Sequence, residues 1–161
     1  MSVKGRTALA FDPSHISKSG KKTPGVGYFW SGCAGKTKWG LEFCGMAVLD
    51  VARKTAFHLF GFQTIDLRDD EKLIAFYVRK IMEKKDDLLK ISKYLVADAY
   101  FSIVTFVKPF VDAGFHIVSR LRDDADLQYI FLGEQKKGKG RPQKYDGKIH
   151  FKTLKNEYAK L

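Results

Sequence analysis

The 161-residue sequence predicts an α/β fold of the α+β kind, a mixed sheet with helices packed on it. Three observations carry that expectation. An apolar strand pattern opens the chain, and two more follow with four residues between them. Strand patterns then alternate with helical ones. Hydrophobic residues make up 45% of the chain, enough for a core and too many for a disordered chain.

Residues 7–12, TALAFD, read as a short strand that ends on Asp12. The Gly-rich stretch 17–40 reads as a long loop. LEFCGMAVLD (41–50) and TAFHLFGFQT (55–64) flank VARK, which suggests a hairpin. Residues 69–90 read as one helix. Asp69, Asp70 and Glu71 favour its positive end, and Leu73, Ile74, Tyr77, Val78, Ile81, Met82, Leu88 and Leu89 form its apolar stripe. YLVADAY (94–100) is expected to be a fully buried strand. Residues 103–114 look helical, with Ser102 as a cap and Gly114 as the stop, and Pro109 should kink or shorten that helix. FHIVSRLR (115–122) reads as a strand, with weaker strands at LQYIFLG and KIHF. The expected division is a core over 1–126 and a β-rich insertion starting at 127–161.

The net charge is +11, and two segments hold all of it. Residues 17–40 contain five lysines and no acid; residues 134–160 contain nine basic residues against three acids. Such segments suit a polyanion, since each phosphate contact releases counterions. The expected DNA contacts are Lys18, Lys21, Lys22, Lys36 and Lys38, then Arg120 and Arg122, then Lys136, Lys137, Lys139, Arg141 and Lys144. Solvated loops that keep the protein soluble would explain the same charge. No apolar run approaches the roughly 18 residues of a membrane span, and the start has no signal-peptide layout. Cys33 and Cys44 suit free cytosolic thiols. No membrane partner is expected.

The order of strand, hairpin, helix, strand, helix, strand matches a ribonuclease H-like fold. In such a sheet the strands that end on Asp12 and Asp98 are neighbours, so the two carboxylates would stand side by side. A divalent cation relieves their repulsion, and Mg²⁺ commonly binds one or two carboxylates together with waters and substrate phosphates. Either Asp alone suits a strand or turn cap better than a metal ligand, and it is the pair that brings the metal reading level. Gly35-Lys36-Thr37 fits the end of a phosphate loop, but Trp30 stands where its first Gly is required. His15 suits a turn, His58 and His116 suit structural roles, and His150 carries no signal. Trp30 and Trp39 could stack on unpaired bases or anchor the 17–40 segment to the body.

FDPSHISKSGKKTPGVGYFWSGCAGKTKWGLEF, YLVADAYFS and the later GFHIVSRLRDDADLQYIFLG and KKGKGRPQKYDGK resemble bacterial insertion-sequence transposases of the DDE class. The similar branch has a second motif of Asp, any residue, Gly or Ala, then Tyr or Phe; here it is Asp98, Ala99, Tyr100 and Phe101. The resemblance implies DNA transposition by metal-dependent cleavage and strand transfer, with Mg²⁺ or Mn²⁺ as cofactor. It makes Asp12 and Asp98 the first two catalytic acids and metal ligands. Transposon-end and target DNA, and other transposase chains, are the implied partners, in the bacterial cytoplasm and nucleoid. The family's third acid is a Glu on a late helix with Tyr, Arg and Lys at fixed spacing. Glu157 has a nearby Tyr but lacks that pattern, so a truncated fragment is the expectation. The alternatives are a non-catalytic DNA-binding remnant competing with full-length transposase, and a nuclease that uses Glu157.

Overall fold

The computed structural model describes residues 7–122, 124–135 and 140–150. These fall into two compact units, Met1–Leu121 and Arg122–Leu161. The first holds strands β1 (Thr7–Ser17), β2 (Gly27–Ser31), β3 (Lys36–Asp50), β4 (Thr55–Gln63), β5 (Tyr94–Val96) and β6 (His116–Val118). Its helices are α1 (Leu73–Met82), α2 (Lys85–Ile91) and α3 (Val104–Asp112), with one 3-10 turn at Ala99–Phe101.

β3 is the spine of the sheet. It pairs antiparallel with β1 on one edge, and with β4 and β2 in succession on the other. β1 also pairs with β5 in parallel, and β5 pairs with β6 in parallel. The order β4-β3-β1-β5-β6, antiparallel through β1 and parallel beyond it, is a ribonuclease H-like arrangement, and β2 extends it along β3. Parallel neighbours need a crossover, which α1 and α2 supply before β5 and α3 supplies before β6.

Side chains alternate between the faces of a strand, so one face of the sheet can be read off the register. Leu9 and Phe11 of β1, Cys44 and Met46 of β3, and Leu95 of β5 point to one face and are buried there with Ala97. Phe76, Tyr77 and Ile81 of α1, Leu88 of α2, and Phe106 and Phe110 of α3 complete that core. Its centre is aromatic: the Phe11 ring lies 5.6 Å from Tyr77 and 5.4 Å from Phe101, and Phe101 lies 4.7 Å from Phe106. The opposite face carries no helix among the described residues.

Several elements depart from expectation. β1 runs five residues past Asp12, because residues 13–17 pair with residues 40–44 of β3. The 17–40 segment is largely a hairpin: Tyr28, Phe29 and Trp30 are strong strand formers and pair with Trp39, Lys38 and Thr37. Its turn holds the exposed Cys33, with Gly35 at φ +60°. The expected 69–90 helix is two helices, parted where Lys84 leaves helical geometry. Asp69, Asp70 and Glu71 do not enter the first turn of α1. Asp70 takes a left-handed φ of 60°, and Glu71 reaches Arg79 instead. α3 continues through Pro109 to Asp112, and Gly114, at φ +94°, follows its end. Ile103, not Ser102, precedes the first turn of α3.

The second unit pairs β7 (Gln128–Ile130) antiparallel with β8 (Tyr145–Lys148) and buries Tyr129. β8 begins ahead of the expected KIHF strand, and residue 151 lies outside the described residues.

Candidate functional site

Regular pairing of β1 with β5 ends two residues before both carboxylates, and its register, carried forward, sets them at matching positions. Leu9 pairs with Leu95 and Ala10 with Val96, and each chain then runs two residues further to Asp12 and Asp98. Adjacent strands lie about 4.8 Å apart, so matching positions are close neighbours. Ala10 and Val96 face away from the helices, and alternation gives Asp12 and Asp98 that same open face. Both residues are exposed. This corrects the expectation of a fully buried strand: Leu95 and Ala97 are buried, but Tyr94 is 52% exposed. It also corrects Asp12, which sits within β1 and not at its end.

The two backbones are braced from behind. Phe11 precedes Asp12, and Phe101 lies three residues after Asp98; both rings pack on Tyr77. The Tyr77 hydroxyl donates to Oε1 of Glu42, a buried carboxylate that also accepts from Thr64 Oγ1 at 2.6 Å. Burial, then the Glu42 hydrogen bond, pushes the Tyr77 phenol up from its ordinary value. Cys44 lies in this layer, and burial, with the charges of Glu42 and Asp12 adding to it, pushes its thiol up to about 12 against the opposing Thr64 hydrogen bond. In front, Oδ1 of Asp98 accepts the Tyr100 N–H at 2.9 Å, and Oδ2 of Asp12 accepts from Ser14 Oγ at 3.3 Å. The turn-cap role weighed for Asp98 is therefore real, and it leaves the carboxylate at the surface.

The donor set is two surface carboxylates at matching positions on adjacent strands. That suits a hard cation that keeps several waters. Among the described residues no group of three His, Cys, Asp or Glu side chains gathers to hold a metal. His15 is turned to the Trp39 carbonyl, 3.3 Å from Nε2, and His58 and His116 lie on strands. Glu157 lies outside the described residues.

The expected DNA-binding residues separate into groups. Lys18, Lys21, Lys22, Lys36 and Lys38 are all exposed, and none enters an ion pair among the described residues. Their loop is tied down at two carbonyls: Gly20 accepts from Trp39 Nε1 at 3.1 Å and Pro24 from Gln63 Nε2 at 3.0 Å. Arg120 and Arg122 do not alternate on a strand, because β6 stops at Val118. Arg122 forms a two-pronged pair with Asp124, both contacts 2.7 Å, which commits its guanidinium locally. Arg141 and Lys144 are exposed and border a pocket with Pro142 and Tyr145 in the second unit. Lys136, Lys137 and Lys139 lie outside the described residues. No helix among the described residues is long and apolar enough to cross a membrane.

Fold and surface together define a ribonuclease H-like unit with a carboxylate pair on its open face. No family model matches the chain, and no curated protein matches it. Two solved structures are similar. One is the piggyBac transposase synaptic complex with hairpin DNA, 16% identical over 73% of this chain and 23% of that one, with a TM-score of 0.46. The other is Ciona intestinalis endonuclease V with a 23mer DNA containing an inosine followed by a ribo-adenosine, 12% identical over 77% of this chain and 48% of that one, with a TM-score of 0.42. This chain spans less than half the length of either. Likenesses this loose carry no argument, and the fold assignment rests on strand order and direction.

Proposed function

We propose that the chain is the catalytic-core portion of a DDE-class DNA transposase, with Asp12 and Asp98 holding Mg²⁺ or Mn²⁺ for DNA cleavage and strand transfer. The observation that carries this reading is the β1–β5 register, which gives both carboxylates matching positions on one open face. Bound there, a divalent ion would supply Lewis-acid stabilisation of charge on phosphoryl oxygens. The chain's own part is to present the two carboxylates on one face, Asp98 pinned by the Tyr100 N–H and both backbones braced on Tyr77. The lysines of residues 18–38, which enter no ion pair among the described residues, support DNA as the partner by drawing the phosphate backbone to the same unit.

The test is Mn²⁺ titration by electron paramagnetic resonance, alongside nicking of supercoiled plasmid. Asp12→Asn and Asp98→Asn should each weaken Mn²⁺ binding by about tenfold or more, and any nicking should vanish with them. Unchanged Mn²⁺ affinity in both variants refutes the metal reading. Salt-sensitive DNA binding with no nicking in the parent chain would instead identify a DNA-binding remnant.

A further inference from the structure

The face that carries the carboxylates continues along the long ribbon of β1, β3 and β2. On β3 the residues sharing Asp12's face run from Gly45, opposite Asp12, through Phe43, Leu41 and Trp39 to Thr37. β2 then adds Tyr28, opposite Trp39, and Trp30, opposite Thr37. Tyr28 is 73% exposed and Trp30 62% exposed. Isolated surface apolar groups need no explanation, but two large aromatics spaced two residues apart on one strand face form a patch. Its base is fixed. The Trp39 indole N–H is bonded to the Gly20 carbonyl, and its ring meets the Tyr28 ring edge-on at 5.2 Å. Trp39 therefore anchors the segment, and Trp30 is left for a partner.

The charge around this patch selects the partner. Lys36 and Lys38 alternate onto the other face of the same strand, and Lys18, Lys21 and Lys22 ride the tethered loop beside it. Residues 17–40 have no acid at all. A second copy of this chain seated on the patch would bring two such segments together at a cost in repulsion. Single-stranded nucleic acid suits both properties, because unpaired bases stack on aromatic faces while their phosphates meet the lysines. Duplex DNA keeps its base faces covered and would use the lysines alone.

We propose that the aromatic face of the β2–β3 ribbon is a stacking platform for unpaired DNA, with Trp30 and Tyr28 each taking a base. The proposal rests on DNA as the partner and is independent of the metal. At about 3.3 Å per residue the platform stands roughly 20–26 Å along β3 from the point opposite Asp12. Unpaired strand would thus be held to the side of the carboxylates and not over them.

The test uses the full chain in EDTA, so that no metal takes part. Fluorescence anisotropy would compare a labelled thymidine oligonucleotide of about fifteen nucleotides with a duplex of equal length. Trp30→Ala and Tyr28→Ala should each weaken single-strand binding about 5- to 100-fold while moving duplex binding less than about twofold. Trp30→Phe should restore most of the loss. A double Lys36→Gln, Lys38→Gln variant should weaken both ligands and flatten their salt dependence. The Trp30→Ala melting curve should overlay the parent's, and Tyr28→Ala, which gives up the Trp39 contact, should be folded at the assay temperature. Single-strand affinity unmoved by Trp30→Ala and Tyr28→Ala, or an equal loss on both ligands, overturns the platform. Loss of a parent dimer in sedimentation, with DNA affinity unchanged, would overturn it in favour of contact between copies. If neither ligand binds the parent chain, DNA as partner falls and the platform with it. Lysine-dependent duplex binding with no aromatic dependence of single-strand binding fells the platform alone.

Discussion

Tyr77→Phe isolates one oxygen in the interior. Glu42 is a buried carboxylate with no ion pair among the described residues, and its Oε1 accepts from Tyr77 and Thr64. The substitution leaves the ring in place against Phe11, Phe76 and Phe101, at 5.6, 6.0 and 5.9 Å. What is lost is one hydrogen bond to a charged acceptor, worth about 1.5–3 kcal/mol. For a chain of this size each kcal/mol shifts the melting temperature by about 2–4 °C, so the expected drop is roughly 3–12 °C. Urea denaturation gives the free energy directly, and the m-value should not change. In a Glu42→Gln background the acceptor is neutral, and the same substitution should cost only about 1 kcal/mol. The reasoning is refuted if Tyr77→Phe lies within about 0.5 kcal/mol of the parent, or if its cost is the same in both backgrounds.

Gly40→Ala should destabilise by about 1–3 kcal/mol in denaturant titration, because a Cβ there collides with the Ile16 carbonyl oxygen and His15 Nε2. Gly32→Ala, in the open turn of the same hairpin, should stay within about 0.5 kcal/mol. Glu71 has its carboxyl lowered to about 2, first by the Arg79 hydrogen bond. Its folded pKa lies below the ordinary value, so its contribution is complete above about pH 4.5 and is lost as pH falls through about 2. Melting temperature followed across that window should fall less steeply in Glu71→Gln, and identical slopes would contradict the pairing.

The sheet was largely legible in the sequence because its signals are local. The 41–50 and 55–64 runs announced a hairpin, and the order of strands and helices announced which strands would be neighbours. Asp12 and Asp98 followed from that order, since a parallel β1–β5 pair sets matching positions side by side. Burial is misleading in the sequence because YLVADAY is apolar at every position but Asp98, a pattern that suits a strand covered on both faces. Here only one face is covered, so Tyr94 and Asp98 reach the surface. The 17–40 segment was misread for the opposite reason. Glycine and lysine dominate its composition, while the strand formers Tyr28, Phe29 and Trp30 occupy three positions whose partner lies across a turn. The break between α1 and α2 had no sequence signal, because neither Gly nor Pro marks residues 83–84. Glu42 carries no signal of its role in the sequence. Its buried bonds to Tyr77 and Thr64 depend on elements 35 and 22 residues away, a distance at which local pattern is silent.

The two cysteines divide the chain's reactivity between interior and tip. With its thiol pushed up to about 12 by burial, Cys44 stays protonated at neutral pH, and it is also sealed from solvent. Cys33 stands exposed at the turn of the β2–β3 ribbon, four residues from Phe29 and three from Trp30. A maleimide dye or spin label added to the unaltered chain should therefore attach at one place. No cysteine needs to be removed or introduced, and the label rides on the ribbon tip beside the aromatic face. The protein comes with a single addressable handle at the tip of its β2–β3 hairpin, suited to following that ribbon's motion in solution.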